Sequence, residues 1–136
     1  MKHVSGVGLI YQNSILLGKR HKMWEGKPVT LGGYWSIFSG TIESGENPMV
    51  CACRELFEET KIKKEIHELN FVKIIYEKNL TFHVYMSELS EMVNPELNEE
   101  HTQYGWFSID SLDNFHEKID DNLVNAIKTY NKTRYI

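Results

Sequence analysis

Residues 40–62 read GTIESGENPMVCACRELFEETKI, and the fold turns on this stretch. Asn47 is suited to cap a helix and Pro48 to open it, where a missing N–H costs least. The helix predicted from there runs to about Thr60, with Val50, Cys53, Leu56 and Phe57 as its buried stripe. Within it Glu55, Glu58 and Glu59 stand at i, i+3 and i+4, so their carboxylates share one face. Like charges that close repel unless a cation lies between them, and hard divalent cations prefer carboxylate oxygens. The competing reading is a solvated acidic face paired with Arg54, Lys61, Lys63 and Lys64.

Outward from the helix the chain alternates between strand and turn signals. His3–Tyr11 reads as a strand, Gln12-Asn13 as a turn, and Ser14–Lys19 as the hairpin partner. A long loop with Gly26, Pro28, Gly32 and Gly33 is expected over His21–Tyr34, a length that is often functional. Trp35–Phe38 is a short apolar strand leading into Gly40. Beyond the helix, Phe71–Glu77 and Thr81–Met86 read as paired strands around Asn79. Met92–Gln103 is an acidic loop and Tyr104–Ile109 another strand. Leu123, Ala126, Ile127 and Tyr130 mark a C-terminal amphipathic helix. Strands, helix, strands, helix in that order fit a layered α/β or α+β domain with a mixed sheet.

The stretch resembles the signature of the Nudix hydrolases, Gly-x5-Glu-x7-Arg-Glu-U-x-Glu-Glu-x-Gly-U, with U aliphatic. Gly40, Glu46, Arg54, Glu55, Leu56, Glu58, Glu59 and Ile62 match in register, while Lys61 stands where the family has its second glycine. The resemblance implies a single domain over 1–136 with the Nudix-type α/β/α sandwich, a mixed β-sheet between helices. It implies Mg2+ as cofactor, with Mn2+ able to substitute, held by Glu55, Glu58, Glu59 and the backbone carbonyl of Ser39. It makes Gly40, Glu46 and Arg54 structural, the last two as an ion pair fixing loop against helix. A guanidinium suits that bidentate grip. Glu100, in the acidic loop before Trp106, becomes the distant base or extra ligand, with Glu55 and Glu59 as further catalytic candidates. Glu96 and Glu99 compete with Glu100. His101 is read as a solvated loop histidine. Lys61 is expected to strain the helix end, where a left-handed backbone costs a side chain roughly 1 kcal/mol.

The activity implied is hydrolysis of the pyrophosphate linkage in a nucleoside diphosphate joined to another moiety: a nucleotide sugar, a dinucleoside polyphosphate or a (d)NTP. The alternative is a nucleotide-binding regulatory domain without turnover. Arg20, with Lys19 and Lys22, is placed to reach phosphate, and Tyr34 to contact substrate. Trp35, Tyr76, Phe82 and Tyr85 are further stacking candidates, although strand aromatics usually serve the core.

Bulk properties narrow the rest. The net charge of −4 argues against a general nucleic-acid surface. Cys51 and Cys53 read as reduced, at least half-buried thiols, since residues two apart on a helix cannot bridge easily. No apolar run approaches the roughly 18 residues of a membrane span. A cytoplasmic protein acting on a nucleotide is the expectation, and the resemblance also admits a homodimer.

Overall fold

The structure, a computed structural model, describes residues 1–24, 26–28 and 32–134. Strands β1 (Lys2–Tyr11) and β2 (Ser14–Arg20) form the expected hairpin, with Tyr11 opposite Ser14 and Gln12 at φ 52°. Of the long loop expected next, positions 25 and 29–31 lie outside the described residues. The rest includes a small ribbon, β3 (Met23–Trp24) against β4 (Lys27–Pro28). The following apolar segment is split into β5 (Trp35–Ser36) and β6 (Phe38–Thr41), so Gly40 lies in a strand rather than a loop. Helix α1 spans Pro48–Thr60, capped by the Asn47 side chain accepting from the Met49 N–H at 2.8 Å. Strands β7 (Asn70–Glu77) and β8 (Leu80–Glu88) follow, joined at Asn79 in the left-handed region, which asparagine tolerates. Strand β9 (His101–Ser108) and helix α2 (Asp121–Thr133) complete the order. Two 3-10 turns, Ile66–Glu68 and Ile109–Asn114, were not anticipated.

The sheet is mixed. β1 lies at its centre, parallel to β8 and antiparallel to β6 along its first half and β2 along its second. β7 flanks β8, and β9 flanks β2. Alternation along each strand fills two cores. Ile10, Ile15, Leu17, Phe82, Val84 and Met86 meet α2 residues Leu123, Val124 and Ile127. Val7, Leu9, Leu16, Phe38 and Tyr85 meet α1 residues Ala52 and Leu56 on the other side. The sheet between two helices is the expected α/β/α sandwich. Among the described residues no helix is long and apolar enough to cross a membrane.

The buried face of α1 differs from the expected stripe. Val50 and Phe57 are 45% and 47% exposed, Cys53 is half-buried, and Leu56 alone is fully buried. The face turned inward carries Cys51, Ala52, Glu55, Leu56, Glu59 and Thr60. Apolar periodicity misleads here because two carboxylates occupy the inner face.

Candidate active site

Helix α1 meets the sheet at β1 and β6, and this docking brings Glu55 against Gly40. A Cβ built on Gly40 would stand 2.1–2.4 Å from the Glu55 carboxyl group, so only glycine leaves that carboxylate its place. One helical turn further, Glu59 is 1% exposed, and no hydrogen bond reaches either of its oxygens. Glu100 enters from the turn before β9. The ligand oxygens of Glu55, Glu59 and Glu100 all lie within 4.8 Å of one another.

Asn98 sets the position of Glu100. Its side-chain amide donates to the Glu58 carbonyl at 3.1 Å and to Glu100 Oε2 at 3.3 Å, and its own Oδ1 accepts the Glu100 N–H at 3.0 Å. The Glu96 N–H donates to the Thr60 carbonyl at 2.9 Å. The acidic loop is thus stapled to the end of α1.

Arg54 organises the other side. Its Nε and Nη2 donate to the two Glu46 oxygens at 2.7 and 2.9 Å, and Nη1 donates to Glu55 Oε1 at 2.9 Å. The guanidinium holds the Glu46 carboxyl down at about 2, helped by the Glu43 N–H. Glu58, expected as a ligand, stands outside the cluster. Its side chain is half exposed and accepts from Arg54 Nη1 at 3.2 Å. Ser39, whose carbonyl the resemblance nominates, is buried in β6 next to Gly40.

Burial pushes the Glu59 carboxyl up to about 10, reinforced by Glu55 and Glu100 and opposed by Arg20. At neutral pH Glu59 therefore holds a proton when no cation is present, one it can share with Glu55. His101, read from the sequence as solvated, is 5% exposed, with Nε2 3.8 Å from Glu59 Oε1. Burial and then the Arg20 charge hold its imidazole down at about 3, so the contact joins two neutral groups. His101 was misplaced because β9 begins three residues before the expected Tyr104 and pairs His101 with Arg20.

Arg20 and Tyr34 are joined through backbone, the Arg20 N–H donating to the Tyr34 carbonyl at 2.9 Å. The Arg20 charge acts on both Glu59 and His101. Tyr34 instead lines an open cleft of about 510 Å3 with Phe115, Lys118, Asp121 and Asn125. None of the three clustered glutamates borders that cleft. Lys19 is bound to Glu117. Trp35, Phe82 and Tyr85 are core residues, and Tyr76 is 74% exposed.

A divalent cation fits this donor set. The oxygens are hard donors, those of Glu59 are buried without partners, and Gly40 reserves the space in which Glu55 sits.

The NUDIX domain family model matches residues 1–127. This chain belongs to the Nudix family. With the acidic cluster in place it is a Nudix hydrolase, an enzyme of phosphoric anhydride bonds. Solved structures share the fold. A MutT protein from Methanosarcina mazei Go1 superposes with a TM-score of 0.80 at 16% identity, over 99% of this chain and 96% of that one. An Ap4A hydrolase from C. elegans gives 0.77 at 15% identity, over 99% and 98%. Among curated proteins, an octanoyltransferase from Myxococcus xanthus is 40% identical over 40 residues, 29% of this Nudix hydrolase. The match spans only 11% of that protein's length.

Proposed function

We propose that this Nudix hydrolase cleaves the pyrophosphate linkage of a nucleoside diphosphate joined to another moiety, with Mg2+ as its working ion. The observation that carries this reading is the cluster of buried Glu55 and Glu59 with half-buried Glu100, the Arg20 charge acting on Glu59. Glu55 and Glu59 would hold the ion, with Glu100 at its open side. Such an ion neutralises phosphoryl oxygens and lowers the pKa of water when bound.

The protein's own groups supply the rest. Arg54 orients Glu55 and, through Glu46, ties the loop after β6 to α1. Arg20 offers a positive charge to the phosphates from the end of β2. Glu100 is only half-buried and is fixed by Asn98 and by the His21 N–H on its carbonyl, so it has both the position and the access to take a proton from water. Tyr34, whose backbone is tied to Arg20, would offer its ring to the nucleoside. A regulatory domain that only bound nucleotide would have no use for the clustered carboxyl groups of Glu55, Glu59 and Glu100.

The products would be a nucleoside monophosphate and a phosphorylated remainder, or pyrophosphate from a triphosphate. Nucleotide sugars, dinucleoside polyphosphates and (d)NTPs are the substrates to screen with Mg2+ or Mn2+, with products identified by mass. The Ap4A hydrolase structure that shares the fold supports including dinucleoside polyphosphates. Absence of phosphate-containing product across all three classes would defeat the proposal.

A further inference from the structure

His101 is the one buried polar side chain in the site that the mechanism above leaves without a task. Its side chain is fully enclosed, and neither ring nitrogen has a hydrogen-bond partner among the described residues. A buried imidazole without a partner is costly and calls for an explanation. Its place is nevertheless tightly made. The ring packs on Phe38 at 4.8 Å between centroids. A Cβ on Gly18 would come within 2.9 Å of the His101 ring and 2.7 Å of Phe38, so β2 carries a glycine where the imidazole lies. The backbone is fixed as well: β9 gains one residue, Thr102, across from the Lys19–Arg20 step, and this bulge re-aims His101 opposite Arg20. Glu100 sits in the turn and His101 begins the strand, so two successive residues serve one site.

The polar atom that this placement addresses is Glu59 Oε1, 3.8 Å from Nε2 and itself without a partner. That gap is under 1 Å longer than a hydrogen bond. We propose that His101 is a positioning residue for Glu59: its Nε2–H donates to the ionised Glu59 carboxylate and aims the other oxygen at the space shared with Glu55 and Glu100. His101 does not join the three glutamates as a ligand, because its nitrogens fall outside their common 4.8 Å group. This inference rests on the reading of that cluster as a cation site. It adds that the site's affinity is set by a neutral residue behind the acids, in the way outer partners tune metal sites generally.

Three chains separate the two readings: wild type, His101→Gln, which keeps a side-chain N–H, and His101→Leu, which keeps volume and loses the donor. Mn2+ affinity of each is measured by titration calorimetry, beside a thermal melt in EDTA. The expected result is at least a tenfold loss of affinity in His101→Leu, most of it restored in His101→Gln, with metal-free melting of His101→Leu equal to or above wild type. Nitrogen-15 histidine NMR of the wild type with Mg2+, assigned by the signal missing in His101→Gln, should show Nε2 protonated and Nδ1 bare. Wild-type affinity in His101→Leu would overturn the positioning role and leave the cation site standing. The opposite tautomer would overturn it too, even if His101→Leu failed to fold. No Mn2+ binding by wild type would remove both.

Discussion

Replacing Glu59 with glutamine should stabilise the ion-free protein while abolishing its response to magnesium. In the folded chain this carboxyl group holds its proton up to about 10, against 4.5 when exposed. Below pH 4.5 both states carry the proton and nothing is lost. Between pH 4.5 and about 10 the unfolded chain releases a proton that the folded chain keeps, so stability falls as pH rises. At pH 7 the gap is about 2.5 pH units from the unfolded value, or about 3 kcal/mol. That figure depends only on the folded group staying protonated at pH 7. Glutamine has the same shape and no such penalty, and its amide can donate to Glu55 or Glu100, so the gain is at most about 3 kcal/mol, or roughly 10 °C in Tm. Mg2+ should stabilise wild type increasingly from pH 6 to 9, because binding must displace the Glu59 proton. Thermal melts of both proteins in EDTA and in Mg2+, across that range, give the answer. A glutamine variant that melts lower than wild type in EDTA at every pH, and still gains as much from Mg2+, would refute the reasoning.

Gly40→Ala should lower melting and cut turnover at least tenfold, because the new methyl displaces a Glu55 carboxylate that is buried and held by Arg54. Arg54→Ala should cost about 2 kcal/mol at pH 7 by leaving Glu46 without its partner. Because Glu46 titrates near 2 when folded, the difference from wild type should shrink as pH falls from 4.5 toward 2, which urea melts at several pH values can follow. Lys61→Gly should stabilise by about 0.5 kcal/mol in denaturant melts, the relief of a φ of 64° being partly offset by a looser unfolded chain. Turnover of that variant should be unchanged, since Lys61 lies over the Phe57 ring at the helix end and is not one of the clustered acids.

Local chemistry made much of this fold legible. Asn47 and Pro48 mark the start of α1, and Gln12-Asn13 and Asn79 mark the hairpins, because each acts on backbone within a few residues. The inner face of α1 was misread for a related reason. A search for apolar periodicity finds Val50 and Phe57, while the face that docks repeats as Cys51-Ala52, Glu55-Leu56 and Glu59-Thr60, one pair every four residues. Reading the glutamates as partners of the small residues beside them would have found it. His101 offered no such signal. Its burial follows from pairing with β2 and from Gly18, both far away in sequence, and from a bulge at Thr102 that only this pairing defines. Lys61 shows the converse: the family pattern names a glycine, and the helix nonetheless ends in the left-handed turn that glycine would give. The Lys61 N–H donates to the Phe57 carbonyl at 2.9 Å, and Thr60 Oγ1 both donates to Leu56 and accepts from the Ile62 N–H.

The placement of charge explains why Arg54 cannot substitute for a cation at the cluster. Its guanidinium is spent on the outer side, where Glu46 takes both Nε and Nη2, and Glu55 and Glu58 divide Nη1. Glu59 receives nothing from it, although it lies only one helical turn from Glu55. On the inner side the opposing charge at Glu59 is that of Arg20, whose Nε is buried without a hydrogen-bond partner. If Glu55, Glu59 and Glu100 all ionise, their three negative charges exceed what Arg20 and the shared Arg54 Nη1 offset, and a divalent ion would supply the remainder. Without such an ion, the cheapest adjustment is to keep a proton on the most buried acid, and Glu59 is the group whose titration is raised. The raised carboxyl and the fit for a divalent ion are thus two consequences of one arrangement. A change that brought a second fixed cation to Glu59 should lower its titration and weaken Mg2+ binding together.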